Sequence, residues 1–159
     1  MLQSRAPTFF SVIAGLWVGS MLAAGYLVAP ALFSILTDHQ VAGMIAGDIF
    51  RIEAYLSFVA CLVLLVMANH FVNQGKSQYK FIRWLLLAML ICALVGSVIL
   101  LPWMSALRDQ ALLNGMPVMQ SPSASLFSHL HGVSSVVYLI QSLLGIKLVW
   151  ESAKSLHQS

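Results

Sequence analysis

An all-α integral membrane protein, built as a four-transmembrane-helix bundle, is the fold class this sequence predicts, and three observations predict it. Of 159 residues, 60% are hydrophobic and only 8% are charged. Soluble domains carry about a quarter charged residues, so a surface this poor in charge has to be covered by lipid. Four apolar runs each reach the roughly 20 residues that cross a bilayer core. Backbone polar groups in hydrocarbon must be satisfied within the chain, and the runs lack the short alternating strands of a barrel, which leaves helices. At this length the runs form a single transmembrane domain, 1–159, with no internal repeat.

The first run spans about Phe9–Leu36. Arg5 followed by apolar residues resembles the start of a signal peptide, but the run continues past the usual length and "MLAAGYLVAP" offers no small-residue cleavage site, so it reads as a helix. Pro30 should bend it near its end and free a carbonyl one turn earlier, near Tyr26. The second run, about Val41–Phe71, is longer than a span requires and contains Asp48, Arg51, Glu53 and Tyr55. Gly15 and Gly19 with Ala23 in the first run, and Gly43 and Gly47 in the second, have the spacing that lets helix backbones approach closely, so a tight first hairpin is expected. The third run covers about Phe81–Met104, and a polar outer loop is expected over 105–125. The fourth covers about Leu126–Trp150. Cys61 and Cys92 lie inside apolar runs without metal-ligand spacing and read as small core-filling thiols.

Lysine and arginine set the orientation. Arg5, Lys76, Lys80, Arg83, Lys147 and Lys154 fall on the side of the termini and the second connection; Arg108, with Arg51 near the surface, falls on the other. Six against two predicts cytoplasmic termini and an outward loop. The net charge of +3 therefore reports topology and not nucleic-acid binding. No nucleophile elbow, phosphate loop or HExxH motif is present, so enzyme chemistry has no foothold.

The fourth run opens with "FSHLHGVSSVVYLIQ". At 100° per residue Ser134, Ser135, Tyr138, Ser142 and Gly145 fall within about 60° of His131, Gln141 about 80° away, and His129 on the opposite side. Hydroxyls and imidazole are costly against lipid tails, so this stripe should face the bundle. Asp48, Arg51 and Tyr55 share one face of the second helix, from which Glu53 points away. Counted from the outer ends, Asp48 and His131 both lie about 8 Å deep. An outward-facing pocket of His131, Asp48, Arg51, Tyr55, Tyr26, Ser134, Ser135 and Tyr138 is the expectation. Its alternative is that Asp48 and Arg51 form an ordinary surface pair on an interfacial helix extension while His131 is a hydrogen-bonded interior histidine. Imidazole and thioether groups on the outer side, His131, His129, Met116 and Met119 among His39 and Met104, are the candidate metal ligands and suit copper. No cofactor is required by the residues; copper or haem would sit in this pocket.

The blocks "VAPALFSIL", "AGMIAGDIF" and "FSHLHGVSSVVYL" resemble those of the family that includes transmembrane protein 205 and its bacterial relatives. The likeness covers about Phe9 to Trp150, and Ala29-Pro30 and His131-Gly132-x-Ser134 are its most specific parts; Tyr138 departs from the asparagine common in that family. The resemblance implies a four-helix protein of the bacterial inner membrane and, through an association with platinum-drug resistance, hints at metal handling. In helix arrangement there is a more distant likeness to the copper-resistance D membrane proteins. Two functions follow: binding or transport of a small ligand or metal cation, or an accessory subunit whose stripe packs within the bundle or against a partner. The expected partners are the lipid bilayer and either a membrane protein or further copies of the chain.

Overall fold

The computed structural model describes residues 5–156 of the chain, apart from the side chain of residue 156, and both chain ends whose cytoplasmic placement was expected lie outside the described residues. It is a four-helix bundle: α1 (Ala6–Ile35), α2 (His39–Asn73), α3 (Gln78–Leu113) and α4 (Ala124–Leu156), each long and apolar enough to cross a membrane. Many large apolar side chains are exposed, among them Leu16, Val59, Val66, Ile91 and Leu143. Such a surface is stable where lipid covers it. The protein is a multi-pass membrane protein.

The connections explain the antiparallel order. Asp38 caps α2, its carboxylate accepting from the backbone N–H groups of Gln40 (2.8 Å) and Val41 (3.2 Å). Helices α2 and α3 end alike. Gly75 (φ +85°) and Gly115 (φ +70°) take the left-handed conformation that lacks a Cβ penalty only for glycine. In each case the next residue bonds back, Lys76 to the Phe71 carbonyl and Met116 to the Ala111 carbonyl, closing the last turn.

Two elements differ from expectation. The third helix continues through Leu113, so most of the expected loop 105–125 is helical, leaving a linker with a short 3₁₀ turn at Val118–Gln120. Polarity marks where a helix leaves lipid, and Arg108, Asp109 and Gln110 are as content in a solvated helix as in a loop. The glycine ridge of α1 does not face α2: a Cβ at Gly15 or Gly19 would meet nothing within 4 Å. Backbones approach instead at Gly25, where a Cβ would overlap the Tyr138 ring, and at Gly145, where it would press on Met21 and Val18 at 3.1 Å.

Pro30 and Pro102 each follow a π-helical turn, Ala24–Val28 in α1 and Val95–Leu100 in α3. The N–H of Ala29 reaches back five residues to Ala24, and that of Leu101 to Gly96. In this register the donor missing at Pro30 is the one that would reach Gly25, one residue before the carbonyl an unbroken α-helix would free.

The packed core occupies one half of the bundle. Phe10, Phe71 and Tyr79 interlock, with Phe71 and Tyr79 centroids 4.5 Å apart, and Leu64, Leu86, Met89 and Leu148 continue the core. Tyr79 Oη meets Ser155 Oγ at 3.0 Å and Ser11 donates to the Ser152 carbonyl, so all four helices are tied at this end. The other half is loose. Ala29–Ile35 has no buried residue, and Leu101–Leu113 buries only Ala111.

Candidate functional site

Within the loose half lies a cavity of about 1210 Å³. Its wide end is bounded by Asp38, His39, Gln40, Arg108 and Met119; its floor by Glu53, Ser57 and Gln141. The two π turns contribute opposite walls, Gly25 and Tyr26 from α1 and Gly96 and Ser97 from α3. A π turn widens a helix locally, and here the widening coincides with the void.

The floor is built by α1 and α2. Trp17 Nε1 donates to Ser57 Oγ at 2.9 Å, locking the two helices one turn below Glu53. Glu53 is 8% exposed. Its Oε2 lies 3.3 Å from Ser20 Oγ, but that hydroxyl also lies 2.8 Å from the Trp17 carbonyl and has a single proton to give. Its Oε1 makes no hydrogen bond of ordinary geometry, although the Ser57 hydroxyl one turn away lies close enough to act on the carboxylate. Tyr138 stands over this floor, donating to the Met21 carbonyl and packing edge-on against Phe50 with centroids 5.2 Å apart. Tyr26 donates to Ser142 at 3.2 Å.

At the wide end, Arg108 has 16% of its side chain exposed and donates through Nη1 to the Gly43 carbonyl at 3.3 Å. Its Nε has no hydrogen bond, the exposed Asp109 carboxylate lying 3.9 Å away. Among the described residues, three buried side-chain polar atoms lack a partner: Glu53 Oε1, Arg108 Nε and Gln40 Oε1. All three residues line this cavity. Buried polar groups ordinarily find a partner, and these three that lack one gather around a single void.

Of the residues singled out from sequence, His131, Tyr26, Ser134, Ser135 and Tyr138 line the cavity, while Asp48, Arg51 and Tyr55 do not. Asp48 and Arg51 pair with each other at 2.9 Å and keep about half or more of their side chains exposed, and Tyr55 is exposed beside them. The structure therefore does not bring His131 together with Asp48 and Arg51. His131 itself is exposed at the cavity wall. Of the metal-ligand candidates, Met119 shares the lining with His131; His129 borders a shallow groove on the other face of α4, and Met116 lies outside the lining. Among the described residues no three His, Cys, Asp or Glu side chains converge. Of the two thiols, Cys61 is buried against the Leu86 carbonyl, whereas Cys92 is a half-buried part of the cavity wall.

The residue that sequence reasoning passed over is Glu53. It points away from Asp48, and that is the direction of the bundle interior. Its angular position matches Ala46, two turns earlier, and nearly matches Ser57. The small side chains of Ala42, Ala46 and Ser57 were the available signal, since the face that meets other helices in lipid is rich in them.

The family model for a domain of unknown function, DUF4149, matches residues 12–112. The chain belongs to this family. The match covers most of α1, all of α2 and nearly all of α3, and so takes in the floor and wide end of the cavity apart from what α4 and the linker before it supply. Comparison with curated proteins and with solved structures returns no match. The DUF4149 assignment agrees with an uncharacterised membrane family; the finer likenesses to transmembrane protein 205 and to the copper-resistance D proteins have no counterpart in these comparisons.

Proposed function

We propose that this DUF4149 protein binds a small amphipathic ligand within the bilayer, taking it from the non-cytoplasmic side of the bacterial inner membrane into the cavity between its four helices. One observation carries the reading: a buried carboxylate with an unpartnered oxygen stands on the floor of a largely apolar void of about 1210 Å³. An ionisable group kept inside a membrane protein is expensive and marks ligand or ion pathways. Apolar walls with a few convergent polar groups are the usual make-up of a small-molecule site. The side assignment rests on the six-to-two lysine and arginine bias, which supports a wide end facing outward. The closed aromatic core of Phe10, Phe71 and Tyr79 supports binding over a through-channel.

Native Cys92 supplies the test. In a Cys61→Ala background, a small cationic thiol reagent, methanethiosulfonate-ethylammonium, added outside spheroplasts should modify Cys92. Glu53→Gln should slow it relative to neutral methyl methanethiosulfonate. Protein in which Cys92 reacts only after denaturation has no accessible cavity, and the reading then fails.

The accessory-subunit reading has one observation in its favour. The Gly15 and Gly19 ridge of α1 is uncovered, and small residues at this spacing accept a close helix in lipid.

A further inference from the structure

We infer that the ligand is a zwitterion with its charges well separated: a cationic or amine end held at Glu53 and an acidic end held at Arg108. This rests on the cavity reading above and names the chemical class that fits it. The unpartnered atoms are of opposite kind at the two ends. Glu53 Oε1 on the floor accepts only, while Arg108 Nε at the wide end donates only. Their separation along the bundle keeps them from pairing with each other. Arg108 lies beside Gly43 and Gly47 of α2, its Nη1 bonded to the first and 3.7 Å from where a Cβ would stand on the second. Glu53 is six residues beyond Gly47 and ten beyond Gly43, which at about 1.5 Å per residue separates the two charges by about 9–15 Å along the helix.

The walls between them suit a hydrocarbon spacer. Phe50, Ala46, Leu101 and Val137 line that interval, and the Tyr138 and Phe50 rings stand near the floor, where an ammonium gains from aromatic faces as well as from the carboxylate. At the other end the guanidinium takes the anion, and Gln40 Oε1, on the same cavity lining, is an acceptor open to a protonated or hydroxyl-bearing acid group. A simple amine leaves Arg108 Nε without a hydrogen bond, and a simple fatty acid leaves Glu53 Oε1 without one. Only a molecule carrying both ends satisfies both orphans.

The experiment is calorimetric binding to protein in lipid nanodiscs, using ω-aminooctanoate, ω-aminoundecanoate and the short γ-aminobutyrate, with octylamine and octanoate as single-ended controls. The expected result is that an amino acid of matching length binds about tenfold more tightly than octylamine, the worth of one further charge-assisted hydrogen bond, and that γ-aminobutyrate loses this advantage. Arg108→Gln should bring the amino acid down to the affinity that octylamine has for the same variant. The inference is overturned by octylamine binding as tightly as the amino acids, by a preference that does not depend on chain length, or by a preference that survives Arg108→Gln. The chain-length series is read on the natural chain, so it decides the matter even where a variant fails to fold. An octylamine that binds in a Glu53-dependent way without any amino-acid preference removes the zwitterion and leaves the cavity reading standing. Absence of binding by every probe removes both.

Discussion

At the scale of single residues, Glu53 and His131 exchange the roles their chemistry suggests. His131 is exposed on the cavity wall. Among the described residues its imidazole makes no hydrogen bond, although its carbonyl accepts from Ser135 at 2.9 Å. His131→Ala should therefore change stability by no more than about 0.5 kcal/mol, as ordinary surface substitutions do. The Asp48–Arg51 pair, exposed and i,i+3 on one helix, should contribute a similarly small amount. Glu53 is the costly group. Glu53→Gln removes a buried carboxylate whose Oε1 is unpaired, so the melting midpoint in nanodiscs should rise by a few degrees while probe binding falls. A midpoint that drops would mean the carboxylate is a structural tie to Ser20 and not a ligand group. Helical geometry made relative angles on one helix legible from sequence; it grouped Asp48 with Arg51 and separated Glu53. It carries no information about how a helix is rotated against its neighbours, and so the wrong one of two opposed faces was turned inward.

At the scale of elements, the helices themselves were the most legible part, because a span is a property of composition over about 20 residues. Their ends and contacts were not. The third helix runs to Leu113 because leaving the lipid does not end a helix; what ends it is Gly115 and its bond pattern, which the sequence contains as "LLNGM". Glycine spacing pointed at Gly15, Gly19, Gly43 and Gly47, yet the closest approach is at Gly25, which belongs to no such pair. The spacing rule finds faces able to approach, and which of them do so is settled by a bulky partner, here Tyr138. Gly25→Ala should thus destabilise by about 1–3 kcal/mol, because the Tyr138 ring it displaces is held by its bond to Met21 and by Phe50. Gly19→Ala should be neutral or stabilising by up to about 1 kcal/mol, since its Cβ meets nothing and alanine is the better helix former. Equal thermal unfolding of the two variants would show that the Gly25–Tyr138 contact is not formed.

At the scale of the whole molecule, charge bias makes a topology prediction. A cysteine placed at Gln110 should label from outside intact spheroplasts and one at Ser77, in the turn between α2 and α3, should label only after permeabilisation; both are exposed in the structure. The reverse pattern would place the cavity toward the cytoplasm. The cavity was invisible in the sequence because periodicity shows which faces turn inward and not whether those faces meet. The two π turns lie at a similar height, where the closed half of the bundle gives way to the open half. Each uses a five-residue bond where its neighbours use four, so each carries one residue beyond what a regular helix of the same rise would hold. Loss of a single residue from either turn, Val28 or Val98 for example, is therefore expected to be absorbed by regularising that turn, with the segment beyond it keeping its facing. The same loss in a regular stretch of helix would swing everything beyond it by roughly 100° about its axis. The two turns are thus the places where α1 and α3 can shorten without re-aiming their outer ends, and shortening there would narrow the cavity at its walls.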